Sequence, residues 1–106
     1  MTREELIVEF EKVTTHMLET MKLKNMDYSG ADADPFHNFK MVELMGVATA
    51  EQGFFARITD KVMRLASFVK NGTLQVKGEA VEDTLEDLAV YAILMICYLS
   101  GKDDVL

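Results

Sequence analysis

The chain of 106 residues has no tryptophan, one cysteine, one proline and six glycines, and its 11 lysines and arginines are outnumbered by 18 aspartates and glutamates. Each shortage excludes something. A lone cysteine, Cys97, rules out an intrachain disulfide, and its setting in Leu94-Met95-Ile96-Cys97-Tyr98-Leu99 reads as a small buried hydrophobe. With so little proline and glycine, almost nothing interrupts the periodic segments, so the class is all-α. A net charge of −7 argues against an extended nucleic-acid partner, because a phosphate backbone needs clustered positive charge. Any anionic ligand must then meet a local basic cluster. The opening Met1-Thr2-Arg3-Glu4-Glu5 lacks the basic-then-apolar order of a secretory signal, which makes the cytoplasm the expected compartment. The apolar run at 88–99 is twelve residues, short of the roughly 20 that span a bilayer, so no membrane partner is expected.

What is present is a 49% apolar composition, enough for the core of one domain over residues 1–106. A domain this small buries only roughly 60–70% of its unfolded surface, so burial between subunits would help. Thr2 with Glu5 forms a capping-box pattern, opening a first helix over about 3–25 whose apolar set Leu6, Phe10, Val13, Met17 and Met21 makes one core-facing stripe. Residues 26–34, rich in turn formers, read as the loop best suited to function. Asp34 is expected to cap a short second helix with Pro35 at its first position, ended by Gly46. Thr49 and Gln52 repeat the capping box and open a third helix over about 50–70, stopped by Asn71-Gly72. Its core positions are expected to be Phe55, Ile58, Val62, Leu65 and Val69, with Phe54, Ala66 and Phe68 widening the apolar surface. A fourth helix over about 78–100, followed by Gly101, is apolar on every face from Leu88 onward, as a central helix would be. Three short partners cannot cover such a helix, so a homodimer or homotetramer is expected.

Arg57, Lys61, Arg64 and Phe68 fall within roughly one-sixth of the circumference of the third helix, at about 100° per residue. On the fourth, Asp83, Asp87, Tyr91 and Tyr98 share a stripe, with Glu79 and Glu86 nearby. Folded back as a hairpin, the two helices bring Arg64 near Asp83 and Lys61 near Asp87. The result is either an internal ladder of ion pairs or a site for phosphate and metal. Arginine's planar fork suits phosphate oxygens and lysine adds a compact charge, so Arg57, Lys61 and Arg64 are the candidate anion-binding residues. Tyr91, with Tyr28, Phe36 and Phe39 on the loop side, has the flat face that stacks on a nucleobase, whereas Tyr98 reads as a core aromatic. For Mg²⁺, which wants hard carboxylate oxygens, Asp60, Asp83 and Asp87 are the acids best placed to converge, with Glu51, Glu79 and Glu86 as further candidates. Charge runs of this kind are equally at home on a solvated face. His16 and His37 show no catalytic motif, but His37-Asn38-Phe39 could donate hydrogen bonds to a base or ribose.

Several segments together resemble the nucleotide modification associated domain family, small proteins frequent in bacteriophages: Lys24-Asn25-Met26-Asp27-Tyr28, Asn38-Phe39, Gly46, Arg57-Ile58-Thr59-Asp60-Lys61-Val62-Met63-Arg64-Leu65, and Glu82-Asp83-Thr84-Leu85-Glu86-Asp87-Leu88-Ala89-Val90-Tyr91-Ala92. The likeness spans residues 24 to 92. The last segment is also similar to the final metal-binding helix of the MazG-like all-α nucleotide pyrophosphatases, helical oligomers that hold Mg²⁺ with acids on two helices and split nucleoside triphosphates. The chain departs from that group. Its third helix offers Asp60 among Arg57, Lys61 and Arg64 instead of a Glu-Glu-x-x-Glu motif, and residue 84, where the second motif has an acid, is threonine. Cations where a hydrolase needs carboxylates would bind phosphate well and activate water poorly. The resemblance therefore implies a nucleotide-binding domain that is more a binder than an enzyme, with no required cofactor and Mg²⁺ as the one ion its acids could hold. Phages encode small oligomeric sponges that soak up the cyclic nucleotide signals of bacterial immunity, and such an anti-defence role in the host cytoplasm is the leading expectation. A Mg²⁺-dependent nucleoside triphosphate pyrophosphohydrolase and a purely structural or interaction protein are the alternatives.

Overall fold

The computed structural model describes residues 1–29, 34–73 and 80–104, with the side chains of 28, 29 and 102–104 outside the description. Among the described residues there are four helices and no strand: α1 (Arg3–Ser29), α2 (His37–Leu44), α3 (Ala50–Asn71) and α4 (Val81–Asp104). The chain divides into two compact units, Met1–Pro35 and Phe36–Leu106.

The first unit is α1 and the turn after it. Its expected capping box is present: the Glu5 amide donates to Thr2 Oγ1 at 3.1 Å, and the Thr2 amide to Glu5 Oε2 at 3.4 Å. The helix runs four residues past its expected end at Asn25, because Met26, Asp27, Tyr28 and Ser29 include no residue that forbids helical backbone. Of the loop expected over 26–34, the first four residues are thus helical, while 30–33 lie outside the description. Asn25 Nδ2 donates to the Pro35 carbonyl at 2.9 Å and ties the helix end to the segment that leaves it. The expected core stripe is only partly covered: Met17 is buried, but Leu6, Phe10 and Val13 are exposed.

In the second unit each helix packs on its neighbour in sequence, α2 on α3 and α3 on α4. α2 begins at His37, three residues after Asp34, its expected cap; Pro35 and Phe36 form a turn whose Phe36 carbonyl accepts from the Lys40 amide at 3.0 Å. It ends as expected at Gly46. There the Gly46 amide bonds to the Glu43 carbonyl at 2.9 Å and the Val47 amide to that of Val42 at 3.1 Å, a paired closure that φ of +74° at Gly46 permits. Thr49 and Gln52 exchange both capping-box bonds, at 2.8 and 3.1 Å, and Gly72, with φ of +79°, closes α3.

The buried face of α3 is turned from the expected one. Phe54 is fully buried and Ile58, Leu65 and Phe68 are half-buried, whereas Phe55 is 64% exposed and Val62 and Val69 are exposed as well. Phe54 wins the core because α2 and α4 converge on it: the Phe39 ring stacks on it with centroids 3.8 Å apart, and Phe36 and Tyr98 close around it at 6.2 and 5.6 Å. A Cβ at Gly53 would sit 3.5 Å from Phe39 Cδ1, an ordinary contact, so the approach of α2 does not depend on that glycine. Tyr98 is thus the core aromatic it was expected to be.

α4 is not enclosed on every side. It starts at Val81, so Gly78 and Glu79 of its expected first turn lie outside the description, and it continues through Gly101 to Asp104. Thr84 is fully buried, while Leu85, Ile93, Ile96, Leu99 and Cys97 are exposed, which corrects the reading of Cys97 as a buried hydrophobe. By helical rotation Leu85, Ile93, Ile96 and Cys97 lie about 100° or more around α4 from Thr84, Tyr91 and Tyr98. By length and composition Val81–Gly101 could cross a membrane, which the twelve-residue apolar run alone could not. Here its Asp87 is held by Lys61 and its Tyr98 by Phe36, contacts a lone helix in lipid would lack.

A cleft with a cation held between aromatic rings

Positions 57 and 61 of α3 meet positions 91 and 87 of α4. Lys61 Nζ lies 3.1 Å from Asp87 Oδ2, with the lysine side chain 16% and the aspartate 30% exposed. This is the rung expected from counting back from the turn. Because both charges are largely withdrawn from water, the pair is screened less than a surface bridge.

One helical turn away, Arg57 Nη1 donates to the Tyr91 hydroxyl at 3.4 Å. Its guanidinium lies 5.7 Å from the centre of the Phe39 ring and 5.8 Å from that of Tyr91. Two rings from two different helices thereby attract the cation. Arg57, Lys61, Asp60, Ala56 and Tyr91 line a cleft of about 310 Å³, at the small end of ligand pockets. Ala56, which no charge or ring pattern singled out, forms part of the cleft wall by being small.

Of the expected anion-binding residues, Arg57 and Lys61 thus share the cleft. Arg64 lies lower on α3, its Nε 3.9 Å from Asp60. Phe39 and Tyr91 are brought to Arg57. His37 and Asn38 open α2 and are exposed. Tyr28 ends α1 in the other unit, its side chain outside the description. The expected metal ligands are drawn into different surroundings: Asp60 lines the cleft beside Arg64, Asp87 is engaged by Lys61, and Asp83 is exposed in the first turn of α4. Among the described residues no three His, Cys, Asp or Glu side chains converge in a way that could hold a metal ion.

Fold and cleft together define a small all-α protein whose principal polar feature is an arginine framed by two aromatic rings. No protein-family model matches the chain, and neither a curated protein nor a solved structure does.

Proposed function

We propose that the protein binds a nucleotide and sequesters it without hydrolysis, acting on a cyclic nucleotide immune signal as a phage anti-defence sponge in the host cytoplasm. The observation that carries this reading is the Arg57 guanidinium framed by Phe39 and Tyr91 beside Lys61. Its planar fork offers phosphate oxygens two parallel donors, and the flanking rings offer a base an apolar face. Arg57 and Lys61 would meet the phosphate, Arg64 would add positive potential, and His37 and Asn38 would add base or ribose contacts. Thr84 supports binding over hydrolysis: an acid at this fully buried position would have to ionise away from water. No cofactor is needed, and any Mg²⁺ at Asp60, Asp83 or Asp87 would be held too weakly to drive hydrolysis.

In this reading α3 and α4 form a long antiparallel hairpin, supported by contacts that descend one helix as they climb the other, 57 to 91 and 61 to 87. Hairpins then associate as a homodimer or homotetramer, which the exposed Phe55, Val62, Leu85 and Ile96 support.

The test is to incubate the protein with labelled cyclic and linear nucleotides and Mg²⁺, then release and identify the ligand. Tight binding, retained in EDTA, with the nucleotide recovered intact is the expected result. Pyrophosphate release abolished by Asp83→Asn or Asp87→Asn in a folded protein would establish the pyrophosphohydrolase instead. A second reading, an interaction protein whose charges only brace the fold, is favoured by the Lys61–Asp87 pair. It predicts no nucleotide binding and a lower melting temperature for Lys61→Ala.

A further inference from the structure

The cleft between α3 and α4 contains one side chain for which phosphate is the wrong partner. Arg57 and Lys61 only donate hydrogen bonds, and the Tyr91 hydroxyl, which accepts from Arg57 Nη1 at 3.4 Å, keeps its own proton for a ligand. Asp60 alone among the five lining residues has a carboxylate, which only accepts. A ligand that fills the cleft must therefore bring acceptors to the first three and a donor to the fourth.

We propose that Asp60 is a specificity-determining residue that accepts a hydrogen bond from the 2′-hydroxyl of a ribose, so that the cleft takes ribonucleotides in preference to deoxyribonucleotides. The proposal deepens the nucleotide reading above and rests on it.

Placement is the first support. At about 100° per residue, Ala56 and Asp60 share one edge of α3, about 40° apart, while Arg57 and Lys61 share the next edge at the same separation. A phosphate held on the second edge has its own sugar beside the first. Residues three or four apart on a helix have Cβ atoms roughly 5–6 Å apart, a span suited to a hydroxyl on the sugar that carries the phosphate and too short for the far edge of the base. Ala56 presents only a methyl group, which leaves a sugar ring room to lie beside the carboxylate.

The second support is that the lone pairs of Asp60 are not taken up by its ion pair. Its side chain is 65% exposed, and its Oδ2 lies 3.9 Å from Arg64 Nε, beyond the roughly 2.7–3.2 Å of a hydrogen bond. Asp87, by contrast, is engaged by Lys61 at 3.1 Å. The third support is charge. A carboxylate one turn from a phosphate site opposes the phosphate unless the same ligand also gives it a proton to share. In a 3′,5′-linked ribonucleotide the 2′-hydroxyl is the sugar's one remaining donor, and it is the group by which a protein tells ribose from deoxyribose.

The experiment is calorimetric titration of the full chain in EDTA, which keeps metal from bridging Asp60 to a phosphate. The ligands are 3′,5′-cyclic diadenylate and diguanylate, each with its 2′-deoxy counterpart. Wild type is expected to bind the ribose forms about 10-fold more tightly, a modest factor because water reaches the exposed Asp60 and replaces a missing hydroxyl. Asp60→Ala should bring that ratio close to one with either base, while its affinity for the deoxy forms rises as the opposing charge is removed. Asp60→Asn keeps an accepting oxygen without the charge and should retain part of the preference. Equal affinity of the wild type for ribose and deoxyribose forms would overturn the role of Asp60 and leave the nucleotide reading standing. A ribose preference that survives Asp60→Ala would assign the hydroxyl to another residue and refute the proposal. A diadenylate-to-diguanylate ratio that shifts in that variant, with the ribose preference intact, would refute it too, by making Asp60 a reader of the base. Failure of all four ligands to bind would remove the nucleotide reading itself, and this role with it.

Discussion

Arg57 owes its use to being a fork and not merely a charge. On the nucleotide reading, Arg57→Lys keeps the cation but loses the planar fork beside Phe39 and Tyr91, so affinity should fall by about 1–2 kcal/mol, nearly as far as the ~1.5–3 kcal/mol expected for Arg57→Ala. Calorimetric titration of both variants decides this, and a lysine variant binding like wild type would mean that charge alone suffices. Thr84 presents the opposite case, a fully buried hydroxyl without a hydrogen-bond partner. Thr84→Val keeps the shape and removes the unmet polar atom, and urea unfolding should show a gain of about 1 kcal/mol. At this scale the sequence was legible where geometry is simple. The Lys61–Asp87 contact follows from equal counting outward from a turn. The partnership of Arg57 with Phe39 does not, because it depends on how a third helix, α2, is laid across α3.

Elements were legible at their caps and less so at their ends. Thr2/Glu5, Thr49/Gln52, Gly46 and Gly72 each carry a local hydrogen-bond or dihedral requirement that a few residues satisfy alone. The C-terminal ends of α1 and α4 were placed too early, since a polar stretch such as 26–29 or a single Gly101 is a weak helix breaker beside the cooperativity of a long helix. Two glycines separate these effects. Gly72→Ala must adopt a left-handed backbone and should lose about 1–2 kcal/mol. Gly53→Ala, inside α3 with ordinary contact to Phe39, should instead gain about 0.5–1 kcal/mol. Thermal unfolding followed by circular dichroism would show opposite shifts, and a loss for Gly53→Ala would mean that α2 cannot yield even slightly.

At the scale of the molecule, the all-helical class was plain from composition, but the choice of buried face was not. α3 carries apolar residues around most of its circumference, so its pattern alone cannot distinguish a stripe against α4 from one left for another surface; only the convergence of Phe36, Phe39 and Tyr98 selects Phe54. If the exposed stripe on α4 is covered by a second copy, stability is tied to mass action, and the melting temperature should rise by a few degrees per tenfold increase in protein concentration. A midpoint independent of concentration across a hundredfold range would speak against that cover.

Among the described residues of the second unit the helices pack chiefly on their neighbours in sequence, α2 on α3 and α3 on α4, with the Phe36–Tyr98 ring pair joining the start of α2 to α4. Such local wiring closes short loops, so little chain entropy is lost before contacts form, and helical signal should return in milliseconds or less after dilution from denaturant. On the oligomer reading, the exposed stripe of α4 is covered only after an encounter, so refolding should split into a fast first-order phase and a slower one whose rate scales with protein concentration.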